Sequence, residues 1–568
     1  MILKIKSSNQ ELALGKIHFL EEEQIEYKKS FQDIKKEKAI LENAINKTNE
    51  SIKLLIKKAK KEFTENEVDI LTAHLEIAND ITFKDEANKI IEFEKKTAYE
   101  AFKIVSDKYI EIFKSMDNEY MKQRSTDILD VASSVLSFIA NPEKKVMGEE
   151  LKESTIIVSK ELTSSDILTL NRKYIKGFIT TEGGPTSHCA IIAKSLQVPY
   201  VFGLSDFPKY FKEGQEVFID GINETLNTEP NAKDRKVYED YLDLVKKTSI
   251  NPKTFTPINK SKDGKKVELA VNIDGVEEIE RLKDFKEIST GLFRTEFLFM
   301  QMNDWPTEEE QFLVYKNIAL NTSRQSEVVI RTLDIGGDKE LKYFKQEKEM
   351  NPFLGNRSVR FSLNKPNTFI TQIRAIYRAS AFGNVAILLP FVSNVEELLS
   401  LRKIIDQVKK SMIQEKIEFD PEVKIGMMIE IPSSAVLADV FAQYVDFFSV
   451  GSNDLIQYTF AVDRVNSAVS NYFQPLNPAI YRLINMAIQG AHRNGKTISV
   501  CGEIASNKYA LAILVAMGID KLSMAPESLG MAKYHLNSLD LTRADELSKK
   551  VLEAKTQDEV IEIVKTYY

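Results

Sequence analysis

The sequence predicts a multidomain α/β protein: a small α/β domain with an inserted helical bundle, followed by a (β/α)8 TIM-type barrel. Three observations carry this reading. From Lys265 onward, eight apolar strand-like runs alternate with helical patterns. From Lys16 to Asn141 there is no Gly and no Pro, and Lys and Glu dominate, a composition that favours helix. Between these stretches lie four short apolar or β-branched runs, at residues 154–158, 176–180, 200–202 and 216–220, the pattern of a compact α/β domain.

Taken in order, the runs at residues 2–5 and 16–20, with Gly15 between them, predict two strands that rejoin the α/β domain. That domain is then residues 1–20 and 142–230, and residues 21–141 are a helical insertion. Phe31, Ile34, Leu41, Ile45, Thr48, Ile52, Leu55 and Ala59 keep spacings of three, four or seven, which is one face of a long helix. Phe102, Val105, Tyr109, Ile112 and Met116 repeat the pattern. A four-helix arrangement covers both, with shorter helices near residues 68–78 and 120–138. Breaks near residues 63–66 and 80–85 argue against a coiled coil. The bundle reads either as a support for its neighbours or as an exposed groove for a partner protein. Residues 231–256 form the linker, with a charged linking helix at 234–247, and residues 257–568 the barrel.

At 568 residues the chain has room for three or four domains. A formal charge of −7 argues against nucleic acid as the principal partner. Cys189 and Cys501 are the only cysteines, so neither a disulfide framework nor a Cys-based zinc site is expected, and a reducing compartment fits. No segment approaches the apolar length of a membrane span, and the opening Met-Ile-Leu-Lys-Ile-Lys has no long apolar region. The expected location is the cytoplasm, without membrane insertion.

The α/β domain carries Gly-Gly-Pro-Thr-Ser-His-Cys-Ala-Ile-Ile-Ala at residues 183–193. The glycines allow close backbone approach or positive φ, and the apolar pattern after Ser187 starts a helix with His188 in its first turn. Unpaired N–H groups there favour a phosphoryl group and a neutral imidazole, which is a competent nucleophile near pH 7. Taken alone, the same loop also reads as a turn into a helix with an incidental histidine.

In the barrel the runs are residues 267–273, 288–293, 328–333, 385–390, 425–430, 447–450, 497–501 and 521–524. A doubly wound sheet reads similarly, but the polar residues favour the barrel. Arg294 and Glu296 follow the second run. Arg331, Asp334, Asp338 and Lys339 end the third, with Asn351 and Arg357 in its loop. Glu430 ends the fifth run, Asn453, Asp454 and Arg464 follow the sixth, and Cys501 and Glu503 end the seventh. Nearly all sit at C-terminal strand ends, where barrel enzymes build active sites. Arginines from several strands suit an anion with phosphate and carboxylate groups, and Glu430 with Asp454 offers hard oxygen ligands for Mg²⁺. The set describes a Mg²⁺-bound phosphorylated acid.

These segments resemble enzyme I of the bacterial sugar phosphotransferase system, the phosphoenolpyruvate–protein phosphotransferases. The resemblance rests on residues 183–193, Gly-Leu-Phe-Arg-Thr-Glu-Phe-Leu-Phe-Met (291–300), Arg-Thr-Leu-Asp-Ile-Gly-Gly-Asp-Lys (331–339) and Asn-Pro-Phe-Leu-Gly-Asn-Arg (351–357). It also rests on Asp-Phe-Phe-Ser-Val-Gly-Ser-Asn-Asp-Leu-Ile-Gln-Tyr-Thr (446–459) and Cys-Gly-Glu (501–503). It covers essentially the whole chain, reaching Ala73-His74-Leu75 and Met116-Asp117-Asn118-Glu119-Tyr120 in the bundle. It implies that the barrel binds phosphoenolpyruvate and Mg²⁺, with Mn²⁺ the alternative ion, and that His188 takes the phosphoryl group as pyruvate leaves. The loaded domain then swings away to the histidine of the carrier HPr, docked on the bundle. By the same resemblance Arg294, Arg331, Asn453, Asp454 and Arg464 bind the substrate, with Arg357 and Lys339 nearby, and Glu430 and Asp454 hold the metal. Cys501 is the implied proton donor to the enolate, and a homodimer forms through the barrel.

Three departures stand out: Pro185 where the family usually has Arg, Asn356 where an aromatic is usual, and Ser7-Ser8-Asn9-Gln10 in place of a Gly- and Ala-rich opening. Losing an Arg that makes a charge-assisted bond to the phosphoryl group would cost about 1 to 3 kcal/mol. The nearest rivals, pyruvate phosphate dikinase and phosphoenolpyruvate synthase, share the His domain and barrel but need an additional nucleotide-binding region. The Gly-free bundle offers no phosphate loop for one. A regulatory protein without turnover is the rival of another class, and the full set of site residues argues against it.

Overall fold

The computed structural model describes the chain apart from residues 10, 21–26, 28–29, 63–64, 116–118, 144–150, 152, 163–165, 168–169, 185–186, 205–206, 249–254, 276–277, 280–282, 284, 286, 338, 340, 342, 345–348, 465 and 568. At His188 the description is confined to the backbone. The chain divides into two compact units, Met1–Asp243 and Leu244–Tyr568.

The first unit holds an eight-stranded sheet of β1 (Ile2–Lys4), β2 (Lys6–Ser7), β3 (Leu12–Phe19), β4 (Thr155–Ser159), β5 (Ile175–Thr180), β6 (Tyr200–Phe202), β7 (Glu216–Asp220) and β8 (Thr225–Asn227). Their order is β1-β8-β7-β3-β4-β5-β6-β2, and β3 to β6 run parallel. Strands from both ends of the helical insertion therefore lie side by side, β3 against β4. Both faces are apolar because successive residues point to opposite sides. Ile157 and Phe178 pack on one face with Cys189, Ala190 and Ile192 of the following helix, and Ile156, Ile179 and Val217 pack on the other. Gly15 does not separate two strands as expected but lies within β3, where a Cβ would come within 3.1 Å of the Ser154 carbonyl. Close strand packing, not a turn, is the use of this glycine.

Between β3 and β4 the structure has five helices among the described residues, α1 (Ile34–Glu62), α2 (Glu65–Ala78), α3 (Ile81–Glu94), α4 (Ala98–Lys114) and α5 (Glu119–Ala140), one more than the four expected. The additional helix is α3. The Asp80 carboxylate accepts the Thr82 N–H and so starts a helix where the sequence reads as an interruption. Only Ala87 and Ile91 of α3 are fully buried, too thin a stripe to stand out in the pattern. A reciprocal Thr97–Glu100 capping box opens α4.

Helix α6 (His188–Leu196) lies between β5 and β6, and the linking helix α7 (Ala232–Thr248) follows β8. On α7, Arg235 pairs with Glu216 of β7, and Tyr241 donates to Glu11 beside β3.

The second unit is the barrel. A short β9 (Ile258–Lys260) runs antiparallel to β10 (Lys266–Ile273). Then β11 (Thr290–Arg294), β12 (Val328–Arg331), β13 (Val385–Leu389), β14 (Lys424–Ile429), β15 (Phe447–Val450), β16 (Thr497–Val500) and β17 (Lys521–Met524) follow, each parallel to the next. Parallel pairing of β10 with both β17 and β11 closes the ring of eight. Inside it Leu292, Val329, Ala386, Leu388, Met428, Phe447 and Cys501 form one apolar cluster, so the barrel is a filled core with its chemistry at the mouth. At the opposite end Lys521 reaches both Glu327 (3.2 Å) and Glu268 (3.4 Å), and Lys424 meets Glu327 at 3.1 Å. No helix among the described residues is long and apolar enough to cross a membrane.

Candidate active site

His188 is the first residue of α6. The cap is Ser187, whose Oγ accepts the Ala190 N–H at 3.3 Å and donates to the Gly184 carbonyl at 2.9 Å. Gly183 takes φ +108°, a conformation that disfavours a side chain. The expected helix therefore starts at His188, in the turn whose backbone N–H groups have no partner within the helix. Pro185 lies outside the described residues.

The other candidate residues belong to the second unit and gather at the C-terminal ends of the barrel strands. Arg294 ends β11 and Arg331 ends β12. Glu430 follows β14, Asn453 and Asp454 open the helix Ser452–Phe460 after β15, and Cys501 follows β16. Lys339 and Arg357 come from the long loop after β12.

Three of the cations share two buried carboxylates. Arg331 pairs with Glu296 and lies 3.3 Å from Asp334. Lys339 reaches Glu296 at 2.7 Å and Asp334 at 3.2 Å, and Arg357 reaches Asp334 at 3.2 Å. Burial alone would raise both acids, but Arg331 and Lys339 hold Glu296 below its ordinary value, and Lys339, Arg357 and Arg331 hold Asp334 well below. Glu430 also acts on Arg331 and Arg357, and Asp454 on Arg357, and the Nε of Arg331 and of Arg357 has no partner. Each of these two arginines keeps one donor that can bind an anion. Arg357 also donates to the Tyr458 hydroxyl at 2.9 Å and lies over the Phe391 ring at 4.7 Å. Arg294 is more exposed, pairing with Asp274 at 3.0 Å. Asn453 accepts the Glu503 N–H at 3.2 Å, and the Arg464 backbone N–H donates to Gln457 at 3.4 Å.

Glu430 is 1 % exposed, and one of its oxygens accepts the Phe391 N–H at 2.5 Å. Its other oxygen, and Oδ1 of Asp454, are buried without a partner. Burial and the neighbouring Asp454 and Asp334 charges push the Glu430 carboxyl up to about 8, against the pull of Arg331 and Arg357. Two orphaned carboxylate oxygens that repel each other fit a divalent cation. Mg²⁺ asks for one or two carboxylates and takes its remaining ligands from substrate and water. Among the described residues no cluster of three or more His, Cys, Asp or Glu offers a fuller cage. Gly451 is required here, because a Cβ would lie 2.7 Å from the free Glu430 oxygen.

Cys501 is 2 % exposed. Its sulfur accepts the Ser449 hydroxyl at 3.1 Å, and its carbonyl accepts the Asn272 side-chain amide at 2.9 Å. Burial pushes the thiol up, with Ser449, Arg331 and Arg294 opposing. The group is thus a neutral thiol able to hold a proton.

The sequence reading passed over Asn272, Ser449, Phe391, Tyr458 and Gln372. Gln372 accepts the Leu333 N–H at 2.8 Å and donates to Thr295 Oγ1 at 3.1 Å, and Thr295 in turn donates to the Arg331 carbonyl at 2.9 Å. For Asn272 and Ser449 a signal existed: each is a polar residue inside an otherwise apolar strand run. Phe391, at φ +56°, gave none.

Three family profiles fall on the chain in succession. The N-terminal domain of PEP-utilising enzymes matches residues 7–124, their mobile domain residues 151–224 and their PEP-binding domain residues 252–541. Fold and barrel mouth thus define a PEP-utilising enzyme. Full-length relatives narrow this. The phosphoenolpyruvate-protein phosphotransferase of Mycoplasma capricolum is 39% identical over 99% of this chain and 98% of its own. Those of Priestia megaterium and Bacillus subtilis are each 39% identical over 98% of this chain and 97% of theirs. The chain belongs to the phosphoenolpyruvate-protein phosphotransferase family, a family of transferases.

Proposed function

We propose that the chain transfers the phosphoryl group of phosphoenolpyruvate to His188, releases pyruvate, and passes the group to the histidine of HPr, the first step of sugar uptake by the phosphotransferase system. The observation that carries this is the barrel mouth, where arginines with unused donors face carboxylates with unused acceptors. A phosphorylated carboxylic acid with a divalent cation satisfies both sets.

Arg294, Arg331 and Arg464 neutralise the phosphate and carboxylate, Asn453 orients them, and Arg357 and Lys339 add positive charge behind. Phosphoryl transfer needs alignment and charge neutralisation more than covalent help from the protein. Glu430 and Asp454 would hold Mg²⁺ or Mn²⁺, which supplies further neutralisation of phosphoryl oxygens. A neutral His188 imidazole attacks phosphorus, and the bond from phosphorus to the enol oxygen breaks with its electron pair staying on that oxygen. Cys501 gives its proton to the methylene carbon of the enolate, which leaves as pyruvate.

In this reading residues 1–20 and 142–230 form the phosphohistidine domain, 21–141 the HPr-binding bundle, 231–256 the linker and 257–568 the phosphoenolpyruvate-binding barrel. A homodimer through the barrel and a cytoplasmic location belong to the same proposal. Because His188 and the substrate-binding groups lie in separate units, the reaction requires the two to meet and part. The test is transfer itself. With phosphoenolpyruvate, Mg²⁺ and HPr, the carrier is expected to gain acid-labile phosphate only when His188 is intact; pyruvate release without phosphate on either protein would contradict the proposal.

A further inference from the structure

The His188 loop is held from beneath by a residue for which the phosphoryl-transfer scheme has no role. Tyr200, on β6, is 1 % exposed, and its ring packs 5.8 Å from Phe202. Its hydroxyl lies 2.9 Å from Thr180 Oγ1 and 3.4 Å from Ser187 Oγ. The proton count fixes the direction of these bonds. Thr180 gives its one proton to the Glu182 carbonyl at 2.6 Å, so it accepts from Tyr200. Ser187 directs its proton to the Gly184 carbonyl, with the Tyr200 oxygen as second acceptor. Burial pushes the phenol up to about 12, so it keeps the proton this arrangement requires. The fit around the hydroxyl is close, for a Cβ on Gly183 would sit 2.3 Å from it. The glycine at the start of the loop is therefore matched to the tyrosine below.

We propose that Tyr200 is a positioning residue for phosphoryl transfer, its hydroxyl tying the end of β5 to the Ser187 cap and so fixing the first turn of α6 that carries His188. The inference rests on the reading of His188 as the phosphorylated residue. Tyr200 acts through Ser187 and Thr180 and touches neither substrate nor metal. Near-attack geometry tolerates little displacement of the nucleophile, so a slackened cap slows the chemistry and leaves substrate binding in the barrel untouched.

The experiment uses the full chain and Tyr200→Phe, which keeps the buried ring and removes only the hydroxyl, with Thr180→Val as a second variant that removes the acceptor and keeps the tyrosine. Two quantities are measured: the single-turnover rate of label uptake from phosphoenolpyruvate, and hydrogen exchange at the Ala190 amide, which bonds to Ser187. Both variants are expected to lose about 5- to 10-fold in rate, with half-maximal phosphoenolpyruvate concentration unchanged and Ala190 exchange accelerated. A purely structural role would not separate rate from substrate concentration in this way. Wild-type rate in either folded variant, or a lower rate with Ala190 exchange unchanged, overturns the proposal. Should the wild type take no label, the functional reading fails by itself. The exchange then decides the clamp, acceleration supporting it and no change overturning it.

Discussion

Replacing Glu430 by Gln should stabilise the metal-free barrel, and by an amount that grows with pH. Glu430 ionises near 4.5 in the unfolded chain and at about 8 in the fold. Between those values the native state holds one more proton than the unfolded state, so stability falls as pH rises, by about 1.4 kcal/mol per unit, and levels off above 8. Over the two units from pH 5 to pH 7 this group alone costs the wild type about 2 to 3 kcal/mol. Glutamine has the shape of the protonated acid and cannot ionise, so it escapes that loss. The assay is urea unfolding in EDTA at both pH values, followed by fluorescence of Trp305, the only tryptophan in the chain. Trp305 packs in the barrel against Phe299, Tyr343, Phe344 and Phe361, and so reports that unit alone. The gap between variant and wild type should open from pH 5 to pH 7, and added Mg²⁺ should stabilise only the wild type. A gap that stays constant, or a variant less stable than wild type at pH 7, would show that Glu430 does not ionise at a cost in the fold.

Two further substitutions probe the same mouth. Gly451→Ala places a methyl group 2.7 Å from the free Glu430 oxygen and 2.9 Å from the Met428 sulfur, so Mg²⁺ affinity by calorimetric titration should fall about tenfold or more, and urea unfolding followed by Trp305 should show the barrel less stable by about 1 to 3 kcal/mol. Glu296→Gln leaves buried Arg331 and Lys339 with Asp334 as their shared acid; urea unfolding should show the barrel less stable by about 3 to 5 kcal/mol, and the phosphoenolpyruvate concentration for half-maximal rate should rise.

Much of this architecture was legible because two periodicities and two kinds of punctuation survive in a single sequence. Apolar runs bounded by polar strand ends marked all eight barrel strands, and Gly183-Gly184 before an apolar helical pattern marked the His188 turn. What escaped depended on partners far away in the chain. Cys501 is recognisable as a strand-end residue, but its contacts to Ser449 and Asn272 span 52 and 229 positions and follow from barrel closure. The helix α3 escaped for a local reason, since Asp80 caps a helix with the same chemistry by which it would end one. Gly15 shows the converse: a glycine read as punctuation serves the close approach of two strands. The roles of Glu296 and Asp334 escaped because a carboxylate at a strand end reads alike whether it binds a metal or braces arginines. Only the ion pairs separate them from Glu430.

In the proposed function His188 carries the phosphoryl group. Its most direct test is incubation of the full chain with labelled phosphoenolpyruvate and Mg²⁺, beside His188→Ala, following pyruvate and acid-labile protein phosphate together. Label is expected on the wild type in step with pyruvate, and none on the variant. Label that persists without His188, or a wild type that binds phosphoenolpyruvate and takes no label, would contradict it.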